Sequence, residues 1–519
     1  MTPETSAGHL TGGLARTPAS PGLTTPVDRT ATRRSLVPAR MDRLPWGPFH
    51  TRLVIALGIT WVLDGIEITF ASAVADRLRD SATLGLTAAQ VGAAASVYLA
   101  GEVVGALFFG RLSDRLGRRR LFIATLGLYL LANGLTALSF DMWSFFVFRF
   151  FAGMGIGGEY AAINSAIDEL IPARHRGHTD LAINGTYWLG AIIASAASIA
   201  FLNTNAFGED LGWRLAFLVG PVIGLLIWGL RRHLPESPRW QLMHGFEDEA
   251  ERTVDGIEKE FRDEGYVLQD VSEDQAIDVV RSERTSFTQI ARVLFRDYRN
   301  RSIVGFALGI SQSFLYNAIF FTYTLVLTDF YGVSDDAAPK YLFFFAIGNL
   351  LGPLTLGRLF DSIGRRPMIA GTYISSGVVL AVTGWMFQEG MLTATTQTVL
   401  WCVIFFIASA AASSAYLTVS ELFPIEMRAQ AIAFFFAVWQ LVGGVVAPFV
   451  FGTLIGTGDR GNVAIGYYVG AALMVGAGLV QWAIGVEAAR RSLEDVARPL
   501  SSVPRTRSTG AATPRPTVP

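Results

Sequence analysis

The sequence predicts an all-α integral membrane protein, with twelve transmembrane helices arranged as two pseudo-symmetric six-helix bundles. Three observations carry this. The 519-residue chain is 51% hydrophobic and only 16% charged, with a mean hydropathy of +0.39, where soluble domains carry about 25% charged residues. Twelve apolar runs divide six and six around a polar stretch from Arg231 to Arg301. Two loop motifs recur in register in both halves. Soluble cores could not bury so many apolar side chains, and disordered, collagenous and disulfide-rich classes are excluded by the same composition. Cys402 is the one cysteine, which leaves no disulfide framework and no thiolate metal cluster.

A helix needs roughly 20 apolar residues to cross ~30 Å of hydrocarbon. Such runs lie near 53–75, 91–110, 121–140, 142–167, 181–203, 214–230, 302–328, 341–357, 368–387, 397–420, 429–456 and 463–486. Barrel strands would instead be ~10-residue alternating segments. The domain division that follows is a tail over 1–50, a first bundle over 51–231, a central linker over 232–300, a second bundle over 301–487 and a tail over 488–519. Both tails are rich in Thr, Ala, Pro and Arg, cannot bury a core, and are expected to be disordered. The first lacks the h-region and cleavage site of a signal peptide.

Arginine sets the orientation, since lysine occurs only as Lys259 and Lys340. Arg33, Arg34, Arg40, Arg43 and Arg52 precede or open span one, and Arg111, Arg115, Arg118, Arg119 and Arg120 join spans two and three. Opposite loops, such as 141 and 457–462, hold at most one basic residue each. The positive side is cytoplasmic, so both termini are expected inside a plasma membrane. The arginine bias points to a high-GC bacterium.

The repeat is specific. A G-R-L-x-D-x-x-G-R-R loop beginning at Gly110, with Asp114, Gly117, Arg118 and Arg119, returns at Gly357 with Asp361, Gly364, Arg365 and Arg366. An E-L-x-P-x-x-x-R element, Glu169 to Arg176 after span four, returns as Glu421 to Arg428 after span ten. Both pairs are offset by roughly 250 residues, as duplication of a six-helix unit requires. A tight turn between helices needs glycine, and a carboxylate among arginines forms switchable ion pairs.

With these motifs the chain resembles the major facilitator superfamily between residues 50 and 496, and within it the sugar-porter and metabolite:proton symporter branch. Pro235-Glu236-Ser237-Pro238-Arg239 matches that branch's P-E-S-P-R. The stretch from Arg491 to Asp495 is similar to the end of its P-E-T-K-G-R-S-L-E-E, whose first part survives only as Glu487. The resemblance implies two bundles rocking around a midplane site. Ion pairs among Asp114, Arg118, Glu169, Arg176, Glu236 and Arg239, and their second-half equivalents Asp361, Arg365, Glu421 and Arg428, would lock and release the cytoplasmic side.

Five ionisable side chains fall inside the predicted spans: Asp64, Glu67, Glu102, Arg149 and Glu159, all in the first half. Each costs at least ~2.5–3.5 kcal/mol at the bilayer centre, so it must face a cavity, a partner or a proton. Asp64 and Glu67, three apart, share a helical face. Two adjacent carboxylates in a poor dielectric do not both ionise cheaply, which is the property a proton carrier needs. The resemblance extends to this face. The D-G-x-D of related symporters stands here as Asp64-Gly65-Ile66-Glu67, and sugar porters set an acid in span one opposite an Arg in span four. Arg149 opens their R-x-x-x-G-x-x-x-G with Gly153 and Gly157, glycines that admit close helix approach. The proton-coupling set is therefore Asp64, Glu67 and Arg149. A static pairing of either acid with Arg149 is the bland alternative. Glu102 and Glu159 divide between static pairing and transport, and Gly157-Gly158-Glu159-Tyr160 resembles the G-G-E-Y of metabolite symporters.

Substrate contacts are expected from the uncharged half together with Glu159. Sugar porters carry Q-Q-x-x-G-x-N-x-x-x-Y-Y in span seven, which Gln312 and Asn317 match and Ser311 and Leu315 do not. These two amides stand about 140° apart on an ideal helix, so one site takes both only if the helix breaks or the site is wide. Tyr316, Asn349, Tyr416 and Gln440 are further polar candidates. Span ten has Ala412 to Tyr416 where sugar porters have G-P-x-P-W, which argues against an ordinary hexose and leaves an organic acid, a polyol or a small aromatic metabolite.

The leading reading is proton-coupled uptake of a small polar metabolite. An efflux antiporter would carry G-x-x-x-G-P-x-x-G-G in span five, absent from Asn184 to Ile192. A nutrient receptor that signals without transporting would carry structured extensions. Enzymatic motifs and a phosphate-binding loop are missing. The expectation is no cofactor beyond the proton gradient, no metal, no nucleic-acid partner and a monomer in the lipid bilayer. In the linker, the acidic stretch from Glu247 to Glu264 fits an amphipathic helix lying under the bundles, or a solvated loop.

Overall fold

The computed structural model describes residues 32–231, 235–273, 276–280, 292–334, 336–422 and 428–486, the side chains of some helical residues in those ranges excepted. Twelve long helices stand among them. Span one is Pro48–Ala73, span two Ala88–Leu116, span three Arg118–Thr136, span four Met142–Leu170, span five Ala173–Phe201 and span six Thr204–Arg231. Span seven is Arg299–Tyr331, span eight Ala338–Ser362, span nine Arg365–Gln388, span ten Ala394–Leu422 and span twelve Arg460–Ile484. Span eleven is composite: α-helix Arg428–Trp439, a π-helical turn Gln440–Val445, and α-helix Val446–Ile455. Eight of the twelve meet both the length and the apolarity that a membrane crossing requires, among the described residues. The outer surface of the twelve bears Leu131, Trp143, Leu225, Phe344, Leu354 and Trp482, all more than half exposed. In water such a belt would be an aggregation surface; in hydrocarbon it is the solvated face.

Packing follows the repeat. Span one lies on five, two on four and three on six; in the second half seven lies on eleven, eight on ten and nine on twelve. The halves meet where two touches eleven, five touches eight and one touches seven. Each repeated loop turns on its second glycine, Gly117 at φ 90° and Gly364 at φ 113°. Only glycine adopts such angles without strain. Glu236 then docks on the first loop, accepting from the backbone nitrogens of Arg118 at 2.8 Å and Arg119 at 3.2 Å. A carboxylate there satisfies orphan donors at the start of span three and complements its dipole.

At the end of the molecule where spans one and seven begin lies a small polar layer. Helix Glu247–Asp263 buries Ala250, Val254, Ile257 and Phe261 against Val37, Met41, Leu44 and Phe49. The amphipathic pattern read between Glu247 and Glu264 is this helix. The tail boundary at residue 50 needs correction. Residues Thr32–Ser35 form a strand antiparallel to Ile277–Val280, with Arg34 opposite Asp278, and Val37–Asp42 form a helix. Composition averaged over the whole tail hid a short ordered piece, held by three apolar side chains and by Arg40 and Arg43. Arg40 pairs with Glu251, Asp255 and Glu258, and Arg43 with Glu258. Span one accordingly begins at Pro48, within the stretch assigned to the tail.

Candidate functional site

The carboxylates of span one are both buried, Asp64 and Glu67 each 1% exposed. What brings neighbours to them is glycine. A Cβ on Gly153 or Gly157 of span four would collide with the backbone of Tyr98 or Glu102, and one on Gly101 or Gly105 of span two with Phe150 or Met154. Gly65 and Gly190 interlock spans one and five in the same way. The helices therefore meet backbone to backbone, which leaves the polar side chains between them no water to turn to.

The two acids have different partners. Glu67 takes Arg149 of span four in an ion pair and also accepts from Asn133 of span three. Asp64 accepts at Oδ1 from the Tyr98 hydroxyl at 3.0 Å and at Oδ2 from the Tyr160 hydroxyl. Arg149 lies 4.2 Å over the ring of Tyr98 and 5.6 Å from that of Phe217. Thr60 of span one donates to Glu159 of span four at 2.7 Å. Glu102 accepts from Gln440 of span eleven at 2.8 Å. Buried ion pairs gain little over apolar packing, whereas breaking one is costly. Arg149 is thus paired with Glu67, and of the two span-one acids Asp64 is the one bonded by neutral hydroxyls.

In the second half, span seven is unbroken from Arg299 to Tyr331, so its two amides do diverge. Gln312 is 8% exposed, and its Oε1 has no hydrogen-bond partner. One turn on, Tyr316 donates to Asn349 of span eight at 3.3 Å. Asn317 points elsewhere, donating to Ser313 at 2.8 Å and approaching Gln440 at 3.5 Å. Around Tyr316 stands an aromatic wall: its ring is 5.9 Å from Trp188 of span five and 4.8 Å from Phe405 of span ten, and Trp188 is 6.0 Å from Phe320. This wall joins the halves at mid-depth, between the aspartate side and the amide side.

The halves are sealed at the end remote from the polar layer. Ser72 donates to the Phe320 carbonyl, and Thr324 to that of Ser72. Arg77 pairs with Asp336 at 3.1 Å, and Arg79 with Asp329. An open groove lined by Asp76, Arg79, Asp80 and Thr453 lies at this end, away from the mid-depth site.

Of the gating residues read from the repeat, Gly110 lies inside span two, six residues before its last residue Leu116, Gly117 forms the turn between spans two and three, Arg118 is buried beside Glu236, and Arg365 opens span nine. Arg239 donates to Asp42 at 3.3 Å, joining the P-E-S-P-R element to the ordered tail. The surroundings of Gly357 and the side chains of Asp114, Glu169, Arg176, Asp361, Tyr416, Glu421 and Arg428 lie outside the described residues. Sequence reasoning missed Tyr98, Asn133, Trp188 and Phe405. Tyr160 closes the Gly157-Gly158-Glu159-Tyr160 motif, in which charge draws the eye to Glu159.

A family model described as sugar (and other) transporter matches residues 63–500. The niacin transporter NiaP of Acinetobacter baylyi is 28% identical over 414 residues, covering 79% of this chain and 89% of its own. The D-xylose transporter of Levilactobacillus brevis is 26% identical over 412 residues, covering 78% and 86%. A crystal structure of D-xylose-proton symporter superposes with a TM-score of 0.65 at 18% identity, over 86% of this chain and 100% of that one. The xylose transporter XylE from E. coli, in a partially occluded inward open conformation, gives 0.66 at 16%, over 86% and 100%.

Proposed function

The chain belongs to the sugar (and other) transporter family of the major facilitator superfamily, and from that premise we propose that it is a proton-coupled importer of a small polar metabolite. It works by alternating access in a bacterial plasma membrane, as a monomer, with the polar layer and both termini in the cytoplasm. The observation that carries the reading is the division of labour in the first half. Glu67 occupies Arg149, while Asp64 is held by two phenol hydroxyls. A proton on Asp64 removes a buried charge without stranding a cation. Proton loss is matched by hydroxyls that can donate to the anion. That is the behaviour of a carrier, and Arg149 and Glu67 are its fixed scaffold.

Substrate meets the Gln312, Tyr316 and Asn349 face under the wall of Trp188, Phe320 and Phe405. Rings stack there and hydroxyls or a carboxylate find the amides. A compact ring compound fits this better than an open chain, and relatives named for niacin and D-xylose support it. The proton gradient is the whole energy source.

The test is uptake of radiolabelled nicotinate, D-xylose and other small acids and polyols into proteoliposomes. Accumulation above the equilibrium level should require an inward pH gradient and vanish with a protonophore. Asp64→Asn should keep exchange of the accepted compound and lose its accumulation. Concentrative uptake by Asp64→Asn would sink the carrier assignment.

A further inference from the structure

Two buried acids, Glu102 and Glu159, have no role in that scheme. Glu102 of span two is 1% exposed, and its Oε2 accepts from Gln440 Nε2 at 2.8 Å, across the junction of the two halves. Its other oxygen, Oε1, has no hydrogen-bond partner. The groups that face it are Tyr98 on its own helix, Asp64 on span one, Arg149 and Tyr160 on span four and Tyr187 on span five. Arg149 is engaged by Glu67. An ionised Glu102 therefore has one neutral amide for a hydrogen-bond partner, a poor provision for a buried charge, and a vacant oxygen where a proton can sit.

The amide has a second commitment. Gln440 Oε1 accepts from the Ser313 hydroxyl at 2.6 Å and stands 3.5 Å from Asn317 Nδ2. It also opens the π-helical turn Gln440–Val445, an irregularity that recurs at functional sites. The space around the amide is set by Gly444. A Cβ there would come within 2.9 Å of Gln440 Oε1, 3.1 Å of Ser313 Oγ and 3.2 Å of Asn317 Nδ2. A relay of four side chains thus runs from Glu102 through Gln440 and Ser313 to Asn317, from one half into the other.

We propose that Glu102 is a proton-responsive positioning residue, which fixes Gln440, Ser313 and Asn317 while ionised and releases them when protonated. Ionised, it holds the amide nitrogen by a charge-assisted bond and so aims the amide oxygen at Ser313 and Asn317. A proton on Oε1 turns that bond into a neutral one of about half the strength, and the new O–H competes for the amide oxygen. Asn317 then keeps its bond to the Ser313 carbonyl at 2.8 Å but loses its tie to the Gln440 amide. The purpose of this relay in a transport cycle rests on the proton-symport reading; the titration itself does not.

The experiment is infrared difference spectroscopy of the full chain in lipid nanodiscs, titrated with pH and without substrate. Glu102→Gln should delete one carboxylic C=O band, and Glu102→Asp should keep it displaced. Gln440→Leu should move the titration midpoint of that band. Ser313→Ala and Asn317→Ala, which do not touch Glu102, should move it in the same direction by less. A band deleted separately by Asp64→Asn should remain in place throughout. An unchanged spectrum in Glu102→Gln, or a Glu102 band indifferent to Gln440→Leu, overturns the proposal. Concentrative uptake by Asp64→Asn would overturn the carrier reading alone and leave the Glu102 band as it was.

Discussion

At the scale of residues, the candidate site is decided by which acid receives the cation. Asp64 and Glu67 lie on one face of one helix, and charge counting treats them alike. The rotation of span four gives Arg149 to Glu67 and leaves Asp64 to Tyr98 and Tyr160. The same asymmetry applies to the amides of span seven. Gln312 keeps a buried oxygen without a partner, whereas Asn317 already donates to Ser313. Gln312→Ala should therefore raise the half-saturation concentration for exchange more than Asn317→Ala does. A hydrogen bond worth ~0.5–1.5 kcal/mol corresponds to a loss of a few-fold to about tenfold in affinity. Counterflow measurements on both variants check this, and unchanged affinity in both would place the substrate elsewhere. The acids, the arginine and the amides were legible in sequence because charge and amide are rare in apolar runs. Their partners were not. Tyrosines and an asparagine carry no such signal, and pairing depends on helix rotation that no one-dimensional pattern records.

At the scale of elements, the spans were legible wherever an apolar run was long, and the repeated loops wherever φ demanded glycine, as at Gly117 and Gly364. The ordered piece between Thr32 and Asp42 was not, because its order comes from contacts with a linker more than 200 residues away, such as Arg40 with Glu258. That docking carries its own pH dependence. Burial works against the charge on Glu258, but hydrogen bonds from Arg40 and Arg43 outweigh it and hold the carboxyl below its ordinary value of 4.5. A group depressed on docking stabilises above its free value and loses that contribution as pH falls through the docked one. Residues 37–44 should then stay protected from hydrogen exchange at neutral pH and open as pH drops below about 4.5. Glu258→Gln should open them already at pH 7. Losing a bond to a charged partner costs ~1.5–3 kcal/mol, hence about tenfold or more faster exchange. Protection that persists in Glu258→Gln at pH 7 would assign the docking to Val37, Met41 and Leu44 together with the pairs that Arg40 keeps to Glu251 and Asp255.

At the scale of the whole molecule, two halves are joined at the end remote from the polar layer by backbone-directed bonds near Ser72 and by the ion pairs of Arg77 and Arg79. A rocking transporter must break these in every cycle, so they should be individually weak. Asp336 also stands 3.4 Å from the Thr204 hydroxyl, and Arg77 keeps a second carboxylate, Asp80, at 3.4 Å. Asp336→Asn therefore loosens the seal without leaving Arg77 unpaired. Thr69 makes a reporter, since it is buried one turn inside the seal and its hydroxyl has no hydrogen-bond partner. In a Cys402→Ala background, Thr69→Cys should react slowly with a membrane-impermeant thiol reagent added from outside. Adding Asp336→Asn should speed that reaction by no more than about fivefold, because a partly exposed ion pair is worth ~0–1 kcal/mol. An acceleration far beyond this would make the pair a lock rather than one contact among several. No acceleration at all would leave closure to the apolar packing around Phe320 and Leu325, and the charges at this end would then serve only to orient the loops.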